Sequence, residues 1–256
     1  MKAFRTFFKK DWTEQLRSGR LTVLGILFCI FGIMNPAVAK LTPWLMETFA
    51  ESLAESGMTV TAVTVDAMTS WTQFFKNIPM ALIAFVLMES GILTRETQTG
   101  SLILPLTKGL ARSKVVLSKA LTLGILWTAG YWICFAITYL YNDYFWDNSI
   151  ALHLGFSVTC WWLMGLWVVM SAVLFSMIGR NGTGGSLGAG CAVLGSYLLG
   201  LVPKVSSYVP TRLMDCGGLL VGVREVSDYT AALIVTLVLT VASVAVSIPV
   251  FNQKQL

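Results

Sequence analysis

Long apolar runs, separated by short polar connections, dominate the chain. Runs at 21–40, 77–94, 115–141, 150–178, 185–202 and 229–250 are each apolar over about 20 residues, the helical length that crosses a hydrocarbon layer of roughly 30 Å. They do not alternate with period two, which excludes the strands of a transmembrane barrel. The pattern predicts an all-α membrane protein with six transmembrane helices, built as a single domain over 1–256. Residues 1–20 form a different element. Over 3–17, helical spacing places Phe4, Phe7, Phe8 and Trp12 on one face and Arg5, Lys9 and Lys10 on the other, as in an amphipathic helix lying in the membrane interface. After the first run, Thr42 can cap a helix begun by Pro43 and ended by Gly57. Leu45, Phe49 and Leu53 follow at i+4 steps with Glu47, Glu51 and Glu55 away from them, which predicts a separate amphipathic flap over 42–57 within the outer acidic segment 41–76.

Composition agrees and charge adds direction. Hydrophobic residues make up 55% of the chain and charged residues only 12%, about half the charged share of a soluble domain. The net charge of +5 is spread between spans, and no basic run is interleaved with stacking aromatics, so nucleic acid is not an expected partner. With the N-terminus inside, thirteen Lys and Arg fall on the cytoplasmic side (residues 2, 5, 9, 10, 17, 20, 95, 108, 112, 114, 119, 180 and 254) and five outside (40, 76, 204, 212 and 224). That bias predicts a multi-pass protein of the plasma membrane with both termini cytoplasmic, and favours an even number of spans. Tyr139, Tyr141, Tyr144, Phe145 and Trp146 gather where the third span leaves the membrane, as interfacial anchors do. The basic lead-in, the apolar run 21–34 and Ala37-Val38-Ala39 imitate a cleavable signal, but the charged lead-in is long for one and further spans follow. Five cysteines contain no CxxC pair, and the one histidine, His153, has no cluster around it, so no metal site is expected.

The stretch 89–119, ESGILTRETQTGSLILPLTKGLARSKVVLSK, leads from the second span into the third. A short amphipathic piece at its centre, held between two spans, acts as a lever whose apolar face can dock on a partner. The simpler alternative is an ordinary connecting loop. The order of Glu96, Gly100-Ser101-Leu102, Pro105, a following basic residue and Lys119 resembles the permeases of ABC-2-type (type V) exporters, as does the whole layout of interfacial helix, six spans and a longer outer segment at 203–228. Ser118-Lys119, where the family often has Gly-Lys, and the looser Thr107-Lys108-Gly109 depart from it. The resemblance implies a permease that pairs with a second copy, like or unlike, and with two copies of a separate ATPase subunit holding ATP and Mg. The segment 95–114 would couple them, with Glu96, Gly100, Ser101, Leu102 and Pro105 at the contact. It also implies two short outer helices in 203–228. No G-x-x-x-x-G-K-[ST] loop occurs, so this chain itself is expected neither to bind a nucleotide cofactor nor to act as an enzyme.

Further residues carry weaker signals. Glu89 is a carboxylate inside a span, where charge is costly, so with Ser90 and Thr94 it marks either a cavity or gate or a hydrogen bond that locks helices. Gly184-x-x-x-Gly188 and Ser186-x-x-x-Gly190 have the spacing of close helix packing. Gly184-Gly185-Ser186-Leu187-Gly188 also imitates a hydrolase elbow, but His153 belongs to the opposite membrane face, so no triad can close. Trp161, Trp162 and Trp167 suit packing better than a substrate path. An apolar route favours a peptide, a lipid-like molecule or a drug as cargo. An ion-coupled secondary transporter, with Glu89 as the coupling site, and a non-transporting sensor or immunity subunit are the alternatives.

Overall fold

A computed structural model describes residues 2–48, 65–91, 96, 98–179, 183–215 and 217–254. Their secondary structure is helical, without strand. It comprises α1 (Lys2–Arg17), α2 (Arg20–Thr48), α3 (Ala67–Glu89), α4 (Ile103–Thr107), α5 (Arg112–Phe145), α6 (Leu154–Ile178), α7 (Gly184–Gly200), α8 (Gly217–Leu220) and α9 (Ser227–Gln253). Five helices, α2, α3, α5, α6 and α9, are long and apolar enough to cross a membrane. The 17 residues of α7 form the sixth long element. It turns back along α6, with Gly185 beside Ala172 and Ser176 and with Gly188 on Phe175.

Two boundaries differ from the sequence expectation for physical reasons. The predicted break at Thr42 does not occur, and α2 continues through Pro36 and Pro43 to Thr48. The Thr42 hydroxyl donates to the Val38 carbonyl, one turn back, rather than capping a new helix. The remainder of the expected flap, 49–57, lies outside the described residues. The second span begins ten residues early, at Ala67, capped by the Asp66 carboxylate, which accepts from the Thr69 amide. Polar residues masked this start in the sequence. Just beyond it, Asn77 donates to Asn35, Asn35 to Thr138, and Thr138 to the Gly32 carbonyl, tying α2, α3 and α5 together.

α6 is the most enclosed span. Trp127 of α5 fits over Gly165 of α6, where a Cβ would stand 2.1 Å from the indole, and Phe28 of α2 lies over Gly130 of α5 in the same way. Trp127 and Tyr131 donate to the Trp162 and Val158 carbonyls of α6. Trp161 and Trp167 are buried and Trp162 partly so, in line with packing. α9 meets α6 along Thr236, Thr240, Ser243 and Ser247, each hydroxyl donating to the carbonyl four residues back. Small side chains that satisfy themselves in this way allow close approach without stranding a polar group. Over the far end of α6, the segment 203–228 holds two short helical elements, a 3-10 turn at Pro210–Met214 and the four-residue α8. Leu213, Leu219 and Leu220 plug it into the bundle, and Arg224 bridges Asp215 and Tyr229.

Candidate functional site

At the end of the bundle that carries α1, charged side chains are buried together. The inward stripe of α1 is Phe7, Asp11 and Gln15, at i+4 steps, and all three are buried. Phe4, Phe8 and Trp12 form a half-buried stacked ladder beside it. Lys10, expected on the opposite face with Arg5 and Lys9, is exposed but turns its ammonium onto the edge of the cluster. Its ammonium lies 2.6 Å from Glu96 Oε1 and 3.5 Å from Glu14. Lys119, near the start of α5 and only 3% exposed, stands between two carboxylates, 2.7 Å from Asp11 Oδ1 and 2.9 Å from Glu96 Oε2. The Ser118 hydroxyl donates to the second Asp11 oxygen at 2.6 Å, and Gln15 donates to Glu89 at 2.7 Å.

Asp11, Glu14 and Glu96 thus come within 4.8 Å of one another, with the two ammonium groups among them. Burial pushes the Glu96 carboxyl upward, but Lys119 and the hydrogen bond from Lys10 outweigh it and hold its pKa below the ordinary 4.5. Burial pulls the Lys10 ammonium down, and Glu96, together with Glu14 and Asp11, more than reverses this, leaving its pKa above the ordinary 10.5. Both groups therefore stay charged across the physiological range. A void of about 10 Å³ remains beside Asp11, Lys119 and Thr122, room for about one water and far too little for a substrate.

This network anchors the segment that joins α3 to α5. Gly100 turns it with φ +68°, a left-handed conformation that costs glycine little. Ser101 folds back, donating from its amide and its hydroxyl to the Glu96 carbonyl. Leu102 drops into the core at 1% exposure. α4 follows, with Pro105 half-buried and with Ile103 and Leu104 51% and 63% exposed.

The structure therefore brings Glu96, Gly100, Ser101, Leu102 and Pro105 together, but divides them by role. Glu96 and Leu102 face inward as anchors. The outward apolar tip belongs to Ile103 and Leu104, which the motif did not single out. Glu89 and Ser90 are buried beneath, with the Ser90 Cβ against Gly185, and Thr94 lies outside the described residues. Gly184 and Gly188 serve packing, on Gly179 and Phe175. Gly190 meets nothing within 4 Å, and Ser186 turns its hydroxyl to the Thr183 carbonyl. Ser186 and Gly190 instead line an apolar cleft of about 320 Å³ between α3, α6 and α7, which Pro79, Val86 and Met164 also line. The partners of Asp11 and Gln15 could not be read locally, since they stand 74 to 108 residues away.

These features define a multi-pass helical membrane protein with a polar cluster at one end of the bundle. No known family model and no solved structure matches the chain. It is similar to the uncharacterized transmembrane protein YxlG of Bacillus subtilis (strain 168), with 21% identity over 222 residues, 83% of each chain.

Proposed function

We propose that this chain is the membrane-spanning permease subunit of an ABC-2-type exporter, driven by a separate ATPase subunit. The observation that carries the proposal is the projecting tip of α4, apolar at Ile103 and Leu104, on a segment anchored through Glu96 to both α1 and α5. A short helix with an apolar face is suited to a groove on a partner. Force applied to it passes through the Lys10–Glu96–Lys119–Asp11 pairs to α1 and to the start of α5. The apolar cleft between α3 and α7 supports a path for a hydrophobic cargo such as a peptide, a lipid-like molecule or a drug. In this arrangement two permease chains in the plasma membrane, with both termini cytoplasmic, work with two ATPase chains that hold ATP and Mg.

The test is a tagged pull-down from native membranes, followed by identification of the retained chains and an ATPase assay. Retention of an ATPase with a G-x-x-x-x-G-K-[ST] loop supports the proposal. A clean chain with no ATPase partner, yet active in transport, overturns it and turns attention to Glu89 as a coupling-ion site.

A further inference from the structure

A groove of about 770 Å³ runs along the outside of the bundle between α5, α6 and α9, within the roughly 300–1,000 Å³ of small-molecule sites. Gly124 gives it depth, because a Cβ there would come within 3.1 Å of Met170 across the groove. Its lining contains two hydroxyls, Thr128 and Thr240. Each is turned back on its own helix, donating at 2.7 Å to the Gly124 and Thr236 carbonyls. A ligand that needs hydrogen bonds finds little in such a wall, whereas an alkyl chain needs none.

The end of the groove is charged. Lys114 stands one turn before Leu117 and two before Leu121, on the stripe of α5 that lines it. Arg112 reaches across the base to the carbonyls of Phe251, Asn252 and Lys254 at the end of α9. Carbonyls hold the guanidinium without cancelling its charge. Among the described residues neither Arg112 nor Lys114 forms an ion pair. The walls supply no carboxylate either: α5 has none before Asp143, α6 has none, and α9 has none after Asp228.

We propose that this groove holds an acyl chain of an anionic phospholipid, with the headgroup at Lys114 and Arg112. An apolar trough ending in uncancelled positive charge matches the two halves of such a lipid, and basic side chains near a membrane surface select anionic headgroups. The proposal rests on the chain spanning a bilayer and is independent of the exporter reading.

The test is native mass spectrometry of the full-length protein after exposure to equal amounts of phosphatidylglycerol and phosphatidylcholine. Wild type is expected to retain one phosphatidylglycerol per chain in preference to phosphatidylcholine. Lys114→Gln weakens retention about fivefold, the effect of one basic side chain at an anionic surface. Ala245→Phe, at an exposed position lining the groove, lowers it about tenfold or more by filling space that close packing cannot share. Leu198→Phe, on the exposed face of α7, leaves it unchanged. Equal retention of the two lipids, or undiminished retention in Ala245→Phe, overturns the proposal. So does a dimer that Ala245→Phe dissociates while lipid retention stays the same, because a second copy would then occupy the groove.

Discussion

Lys119 is the residue on which the buried cluster turns, because among the described residues it alone forms ion pairs with both Asp11 and Glu96. Removing one partner of a buried pair leaves uncompensated charge and costs about 3–5 kcal/mol, far more than the intact pair contributes. Lys119→Met is therefore expected to lower the thermal midpoint in detergent, followed by tryptophan fluorescence, and adding Asp11→Asn is expected to recover part of the loss. If Lys119→Met melts like wild type, the cluster is not a structural anchor. Proton linkage gives the same group a second signature. The folded-state pKa of Glu96 lies below its ordinary 4.5, so its contribution is present above that value and disappears as pH falls through the folded one. Lys10, raised above 10.5, contributes below that value and loses its contribution only as pH rises through the folded pKa. The cluster is thus intact between the two, and Glu96→Gln should flatten the acid limb of a stability–pH curve. Glycines give an independent check at this scale. Gly188→Ala drives a Cβ to 2.1 Å from the Phe175 ring and is expected to cost about 1–3 kcal/mol by overpacking. Gly190→Ala meets open space and should be neutral or slightly stabilising, since alanine is the better helix former. Sequence spacing assigned both glycines to packing, Gly188 with Gly184 and Gly190 with Ser186; what each actually faces separates them.

Among the elements, the long helices were legible because an unbroken apolar run of about 20 residues matches the thickness of a bilayer and little else. Element ends and element roles were less so, for two identifiable reasons. Polar residues satisfied across helices, such as Asn77 with Asn35, look from the sequence like the outside of a span. In α1 the aromatics drew attention to a face of Phe4, Phe7, Phe8 and Trp12, of which only Phe7 is buried; the docking stripe continues from it through Asp11 and Gln15, polar residues whose partners lie on distant segments. The linker to α5 shows the same limit. Its short amphipathic piece was readable around Gly100-Ser101-Leu102, but the burial of Leu102 and the exposure of Leu104 are tertiary facts. They yield a contrast between neighbours. On the proposed exporter reading, Leu104→Asp is expected to weaken association with an ATPase subunit by roughly 30-fold or more, the cost of a hot-spot side chain, while leaving the thermal midpoint in place. Leu102→Asp should instead lower the midpoint, because it buries a charge in the core. Co-purification and melting of the same two variants distinguish these outcomes, and a Leu104→Asp chain that still holds the ATPase would remove α4 as the contact.

For the whole molecule, α7 decides the number of crossings. At about 1.5 Å per residue, its 17 residues span about 26 Å, short of a hydrocarbon layer of roughly 30 Å, a mismatch that local thinning of the bilayer can absorb. Two contacts argue that it reaches the far side. Ser196 meets Thr211, and the turn that follows brings the Met214 carbonyl to Trp161, near the opposite end of α6 from Gly179. At the near end, Arg112 holds the last carbonyls of α9 and Lys254 holds those of Met177 and Gly179, so the end of α9, the end of α6 and the start of α5 share one face with α1. Six crossings satisfy this parity; five would place the end of α9 opposite α1. A chain with its five cysteines replaced by alanine, carrying single cysteines at exposed positions, tests it with an impermeant maleimide. Tyr144→Cys and Tyr208→Cys should label in intact cells, and Thr6→Cys and Gln253→Cys only after permeabilisation. Labelling of Tyr208→Cys together with Thr6→Cys would mean that α7 turns back within the membrane. The apolar cleft beside α3 would then be a blind recess on one side of the bilayer, and a translocation path through it would have no exit.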